Sequence, residues 1–485
     1  MVNPLRPVSE WELLRSPLLA LLMAAGIIAL LSRPVPVLQA DEPPASCRFG
    51  VAATHTGGPL SQYDVNLLRI GWYWDFGARA VPELQGPDYV QTVRLSPLGW
   101  GYQATPTGTA LLDIIAANPG AWWLIGNEPD CIWQDDMRSD LYALAYHDLY
   151  TLIKGADPTA KIGAGSIVQP TPQRLRYLDR VLQVYEQKFR EPLPADFWAT
   201  HSYILCENCF PQRPGDPFPW GACPVPDWPD EPPDDAVYYS VCDHWQLDIF
   251  QERIVAFRRW MRDHGYRERP LFVSEYGILF YDGLIGEKTV EDNIAFMVGT
   301  FDWMRQVRDP ELGYPLDDNR LVQRWAWFSL DHDGWYLGGA LFDYRTHQPL
   351  EMGRAYGAYT AALTPTADLR LAVWAPPVDA PPGSPITVTL SARLSNAGDR
   401  KTSGPVTLTL WSTDTGSPIG SLTLRALEGC GDGVEARLLW AGLTDGAHPF
   451  CGEARTAEES VTTCGVVLVN PQRVYLPIVA KEVTK

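Results

Sequence analysis

Trp122-Trp123-Leu124-Ile125-Gly126-Asn127-Glu128-Pro129-Asp130 is the stretch on which the fold of this chain turns. Four apolar residues in a row, Trp122 to Ile125, predict a strand buried on both faces, and the abrupt change to Gly-Asn-Glu-Pro sets the Glu128 carboxylate where that strand ends. Gly126 lets a ligand or another backbone come close, and Pro129, lacking an amide hydrogen, helps stop the strand. A single Glu at a strand end is common on surfaces. A second stretch repeats the design, however: Pro270-Leu271-Phe272-Val273-Ser274-Glu275-Tyr276-Gly277 is again an apolar strand ending in Glu. Two glutamates at two strand ends is an arrangement suited to chemistry.

Outward from these stretches, residues 45–363 alternate short apolar strands with longer helical or loop segments. The expected strands are 48–54, 67–74, 89–95, 121–128, 161–167, 197–203, 270–276 and 322–329, and the clearest amphipathic helices are 141–153, 174–188, 247–263 and 290–307. Eight strands alternating with helices over about 320 residues predict an α/β fold, a (β/α)8 TIM barrel, whose strand C-termini converge on one mouth. On this count Glu128 ends the fourth strand and Glu275 the seventh.

Residues 17–31 form a 15-residue run without a charge, preceded by Arg6 and Arg15 and followed by the small-residue ending Leu38-Gln39-Ala40. The pattern predicts a signal peptide over 1–40, or else an N-terminal anchor slightly short of the roughly 20 residues a spanning helix needs. Either places the rest of the chain outside the cytoplasm, secreted or at the cell surface. The 445 residues that remain (485 minus 40) exceed one ordinary core, so two domains are expected. A formal charge of −19 argues against nucleic acid or an anionic membrane as partner. The 19 Trp and 21 Tyr modestly favour a carbohydrate ligand, since aromatic faces stack on sugar rings. All nine Cys follow residue 40, which in an oxidising compartment favours disulfide bonds with at least one thiol left over.

Asn127-Glu128-Pro129 with Ser274-Glu275-Tyr276-Gly277 resembles the clan A glycoside hydrolases, whose acid/base and nucleophile glutamates occupy the fourth and seventh strands. The likeness covers the barrel, about two-thirds of the chain. Asn-Glu-Pro-Asp at 127–130, Thr200-His201-Ser202-Tyr203, Arg324-Trp325-Ala326-Trp327-Phe328 and Gly353-Arg354-Ala355-Tyr356 are most similar to the alkali-sensitive-linkage-like glycosyl hydrolases, enzymes of the endo-β-1,3-glucanase type. This chain has Ser274-Glu275-Tyr276 where that family often has Thr-Glu-Phe, and a long insert after Tyr203. The resemblance implies a hydrolase that degrades polysaccharide by double displacement, with Glu128 as acid/base, Glu275 as nucleophile and Asn127 on the sugar 2-hydroxyl. Physical chemistry asks for the same pair: one carboxylic acid protonates the leaving oxygen while a carboxylate about 5 to 5.5 Å away attacks the anomeric carbon. Burial and the charge of Glu275 are expected to leave the resting proton on Glu128, with Tyr203 and Arg94 keeping Glu275 ionised.

His201, at the end of strand six, is placed to bridge acid and nucleophile, and Trp327, at the end of strand eight, to floor the subsite of the cleaved sugar. Trp74, with Trp72, Trp100, Tyr102 and Trp335, is a candidate for further subsites. Arg69 and Arg94 are charged residues in apolar strands and are expected to point into the mouth or to pair with acids. His55 is a further candidate sugar contact. No Gly-rich phosphate loop or HExxH motif is present in the sequence, and neither cofactor nor metal is expected.

The insert at 206–245 carries Cys206, Cys209, Cys223 and Cys242, for which two disulfides are the favoured account over a zinc site; Cys131 is expected to pair with Cys47 or with the insert. After the linker Thr364-Pro365-Thr366, the period-two runs 386–392 and 406–410 predict antiparallel strands. Residues 364–485 thus resemble the immunoglobulin-like β-sandwiches appended to bacterial surface and secreted enzymes, here expected to act as a spacer. The apolar run 474–479 is expected to dock on it or to serve as a sorting tail. A xylan- or galactan-directed clan A glycosidase is the runner-up activity. A catalytically silent carbohydrate-binding surface protein is the alternative from another class.

Overall fold

The computed structural model describes residues 45–207, 222–225, 237, 239–280, 288–332, 338–381 and 383–471. The expected signal segment at 1–40, most of the insert at 206–245, Trp335 and the run at 474–479 fall outside them. All eight expected barrel strands form: β1 Ser46–Ala52, β2 Ile70–Trp74, β3 Asp88–Leu98, β5 Trp122–Asn127, β6 Lys161–Ile167, β7 Phe197–His201, β8 Leu271–Tyr276 and β9 Arg324–Phe328. Each pairs in parallel with its neighbours in the order β2-β1-β9-β8-β7-β6-β5-β3, and a β2–β3 pairing closes the ring. β4, Gly101–Thr105, was not expected. It folds back antiparallel on the outer end of β3, where Pro97 and Gly99 interrupt the apolar pattern.

Helices follow six of the strands: α1 Gly108–Ala117, α2 Ser139–Ala156, α3 Pro172–Phe189, α4 Leu247–Asp263, α5 Val290–Gln306 and α6 Glu351–Ala361. Short 3-10 turns and loop join β1 to β2, and loop alone joins β2 to β3. Side chains alternate along each strand, so one set meets the helices and the other fills the barrel. Trp72, Trp74, Leu124, Phe197, Phe272 and Ala326 belong to the inner set. Two glycines make room for it: a Cβ at Gly50 would lie 2.5 Å from the Trp72 ring, and one at Gly163 would lie 2.4 Å from the Phe197 ring. Among the described residues no helix is long and apolar enough to cross a membrane.

The C-terminal region forms two antiparallel sheets. One holds β10 Leu369–Trp374, β11 Ile386–Asn396 and β14 Asp432–Leu443; the other holds β12 Val406–Ser412, β13 Pro418–Leu424, β15 Gly446–Arg455 and β16 Ser460–Val469. Their inward-facing Val388, Leu390, Leu408, Leu410, Phe450 and Val467 share one core, as the period-two pattern requires.

This unit is fastened beneath the base of the barrel, at the N-terminal ends of its strands. Cys47 is disulfide-bonded to Cys430, and the Cys47 amide donates to Asp399 O at 2.9 Å. Arg48, 3% exposed, makes two 2.8 Å bonds to Asp317 and reaches Ala397 O at 3.1 Å. Arg320 likewise joins Asp317 at 3.1 Å to Ala397 O at 3.0 Å. The Cys47–Cys430 bond corrects the expectation for Cys131, which is a buried free thiol. Two disulfides within the insert are also excluded, because Cys242 is free, although Cys223 is disulfide-bonded. Cys451 and Cys464 pair across β15 and β16.

Cys47→Ser combined with Cys430→Ser should lower stability by about 2–4 kcal/mol, because the bond closes a very long loop in the unfolded chain. Chemical denaturation of the oxidised proteins measures it.

Candidate active site

Glu128 follows directly on β5 and adopts φ +44°, a left-handed conformation that costs a non-glycine residue energy and persists only where its surroundings impose it. Those surroundings are visible. The Glu128 amide donates to Ser166 O at 2.8 Å, and the Met137 amide closes the loop onto Pro129 O at 2.7 Å. The buried Asp135 carboxylate accepts the Asn127 amide at 2.8 Å, the Leu95 amide at 3.0 Å and Arg94 Nε at 2.6 Å. Arg174, 1% exposed, holds Asp130 Oδ2 at 2.9 Å and Glu207 Oε2 at 2.7 Å, which ties this loop to the start of the insert. Gly126 serves the same turn. Its φ is +82°, and a Cβ there would lie 3.1 Å from the Tyr142 ring, so it accommodates that side chain rather than a ligand.

Glu275 lies within β8, paired in register with His201 on β7. The imidazole of His201 stands between the two acids, Nδ1 2.7 Å from Glu128 Oε1 and Nε2 3.7 Å from Glu275 Oε2. The Tyr203 hydroxyl donates to Glu275 Oε1 at 2.6 Å. One oxygen of each carboxylate and a ring nitrogen of His201 all lie within 4.8 Å of one another. Both glutamates are 7% exposed and His201 is fully buried.

Burial, reinforced by the charge of Glu128, pushes the Glu275 carboxyl up to about 7, against the pull of His201 and the Tyr203 hydroxyl. Burial alone would lower the His201 pKa, but the charge of Glu275 and the bond to Glu128 more than reverse it and raise it. Near neutral pH Glu275 is therefore only partly ionised. Two oxygens and a nitrogen this close are also a possible donor set for a divalent cation. The 2.7 Å between His201 Nδ1 and Glu128 Oε1 is a hydrogen-bond distance, however, whereas ligands of a tetrahedral ion at about 2.1 Å lie about 3.4 Å apart.

Asn127 Oδ1, His201 Nε2, Glu275 Oε2, Ser202 Oγ and Trp74 Nε1 are buried without a hydrogen-bond partner, His201 Nε2 and Glu275 Oε2 facing each other only at 3.7 Å. Native folds rarely leave so many buried polar atoms close together, and a hydroxyl-rich ligand could satisfy such a set. Trp74 is fully buried with its ring 5.8 Å from that of His201. Asn127 is aimed by a 3.2 Å bond from Nδ2 to Gln134 Oε1. Arg94 binds Asp135 and Gln134 and acts on Glu275 only through its field.

Trp327 is a correction. It is fully buried among the residues that face the helices, its indole donates to Gly339 O at 2.7 Å, and its ring meets Tyr276 at 5.2 Å. Strand alternation turns the next residue inward, so Phe328 faces the mouth, 6.3 Å from both Tyr203 and Phe76. Phe76 stacks at 4.4 Å on Trp74. Neither phenylalanine was foreseen; counting inward positions from Ala326 would have found Phe328. Arg69 is a second correction, since it precedes β2 at the base and reaches Ala361 O at 3.5 Å. His55 binds Asp75 Oδ2 at 2.8 Å, and Trp72 lies low in the barrel with its indole on Arg48 O. Tyr102 is held by Asp148 at 2.9 Å, and Trp100 is 89% exposed at the β3–β4 turn.

No family model and no curated protein matches the chain. Among solved structures it is similar to the GH128 subgroup II endo-β-1,3-glucanase of Sorangium cellulosum, with TM-score 0.40 and 15% identity over 64% of this chain and 98% of that one. The curdlan-specific GH128 subgroup III exo-β-1,3-glucanase of Blastomyces gilchristii, in complex with glucose, gives 0.41 and 18% over 65% and 99%. The subgroup II enzyme of Pseudomonas viridiflava gives 0.42 and 16% over 65% and 98%. At these scores the likeness carries no weight for activity.

Because Glu275 is raised, its folded form resists ionisation, and the stability it contributes below the unfolded carboxyl range is lost as pH rises through about 7. Glu275→Gln should therefore stabilise the protein by up to about 3 kcal/mol at pH 8 and by far less at pH 4, as read by thermal unfolding at both values. Trp327→Ala should cost about 3–5 kcal/mol of stability. Phe328→Ala, at a half-buried position in the mouth, should cost less, a contrast that thermal unfolding of both variants tests.

Proposed function

We propose that this chain is a secreted, retaining glycoside hydrolase that cleaves β-glycosidic bonds in a polysaccharide, with endo-β-1,3-glucan as its substrate. The observation that carries the proposal is the approach of the Glu128 and Glu275 carboxylates to within 4.8 Å across a buried imidazole. Retaining glycosidases hold their carboxyls about 5–5.5 Å apart, so that one attacks directly; inverting ones leave about 6.5–9.5 Å for a water. The choice of β-1,3-glucan rests on the motifs at 127–130, 200–203, 274–277 and 324–328.

In the first step Glu275 attacks the anomeric carbon while Glu128 gives its proton to the departing oxygen. In the second, Glu128 takes a proton from water, which displaces Glu275 from the glycosyl-enzyme. The attack requires Glu275 in its charged form, although burial raises its pKa to about 7. Substrate hydroxyls supply the means: one that donates to Glu275 Oε2, which has no hydrogen-bond partner, favours its charged form. Asn127 Oδ1 is free to accept from the sugar 2-hydroxyl, a contact that strengthens as positive charge builds on the ring. His201 keeps both acids in place, and the Tyr203 hydroxyl stabilises the nucleophile as an anion. The disulfides of the chain support an oxidising, extracytoplasmic setting.

The test is product release by the 41–485 protein from β-1,3-glucan, β-1,4-glucan, xylan and galactan, beside Glu128→Gln and Glu275→Gln. Soluble oligosaccharides from β-1,3-glucan are expected, with the β-anomer formed first by NMR and at least a 100-fold loss in each variant. An α-anomer formed first would overturn retention. Unchanged sugar binding with no release from any polymer by the folded protein would favour a silent binding barrel.

A further inference from the structure

Five residues beyond Glu128, on the same loop, Trp133 exposes 65% of its surface. A lone exposed indole needs no explanation by itself. This one, however, stands on backbone fixed on both sides. Cys131 bridges to Pro224, the Ile132 amide donates to Cys223 O at 3.1 Å, and the Gln134 amide donates to Cys131 O at 3.1 Å. Gln134 continues the connection into the site, since its Oε1 accepts from both Asn127 Nδ2 and Arg94 Nη2 at 3.2 Å. The loop that carries the indole is thereby tied to the acid/base residue.

On the glycosidase reading, which this inference rests on, the acid/base residue protonates the oxygen of the leaving sugar, so its loop walls the leaving-group side of the cleft. The other aromatic groups of the mouth, Trp74, Phe76 and Phe328, gather instead near Tyr203 and hence near the nucleophile. We propose that Trp133 is the stacking platform for the neutral sugar on the leaving-group side of the scissile bond. The partly exposed Arg94 guanidinium, held by the neighbouring Gln134 of the same loop, offers hydrogen bonds to that sugar's hydroxyls. A platform already rigid loses little freedom on binding, so its contact energy goes into holding the leaving sugar over Glu128.

Two substrates with the same glycone separate this role from any other: a β-1,3-gluco-oligosaccharide, and the β-glycosyl fluoride, whose leaving atom has no ring to stack. In Trp133→Ala, kcat/KM on the oligosaccharide should fall about tenfold while that on the fluoride changes less than about twofold, and Trp133→Phe should recover most of the loss. Equal losses on both substrates would show that the indole acts through the position of Glu128, and no loss on either would show that it binds nothing; both overturn the platform. If the wild-type protein cleaves neither substrate, the glycosidase reading fails first and the platform falls with it.

Discussion

A fully buried imidazole held between two carboxyls is the interaction on which the rest of this molecule depends. His201 comes from β7, Glu275 from β8 and Glu128 from the end of β5, so their spacing is set by three strand registers at once. A slip of one residue in any of them would turn a polar side chain out of the mouth and an apolar one in. The closed ring prevents that slip, because every strand is paired on both edges and the inner aromatic layer tolerates only glycine at Gly50 and Gly163. Packing in the lower barrel thus supports the chemistry above it.

Such a cluster is costly to bury. Two acids and an imidazole lie out of water with several polar atoms unpartnered, and Glu128 adds a strained backbone. The surrounding loops carry that cost. Asp135 gathers the ends of β3 and β5, and Arg174 joins Asp130 to Glu207, so that three loops hold one another. The loop after Glu128 is consequently part of the rigid frame, although its outer face is open to solvent.

Much of this was legible in the sequence. Apolar runs that end in Glu mark strands four and seven because a strand buried on both faces cannot carry charge before its end. His201 and Tyr203 could be placed by the same counting. Side-chain direction was harder: Trp327 looked like a sugar platform, but a strand presents neighbours to opposite faces, and Phe328 takes the inward position. Arg94 and Asp135 are far apart in sequence, and only folding shows that the pair steadies a loop. The raised pKa of Glu275 also follows from burial and a neighbouring charge, which composition and spacing do not report. The Cys47–Cys430 pair was illegible for a similar reason, since its partners are 383 residues apart.

The seam at the base also sets a direction. Cys47 and the start of β1 lie there, and the C-terminal sheets are locked to the same end by Cys430 and Arg48. The mouth opens at the opposite end, beyond barrel strands such as the seven-residue β6, a height on the order of 20 Å. Anything bound by the accessory sheets is thus held behind the mouth, at least a barrel's height from Glu128, His201 and Glu275. On the proposed glycosidase reading, a polymer strand bound at the back would have to loop around the barrel to reach the acids, whereas a strand arriving from in front would meet the open mouth directly.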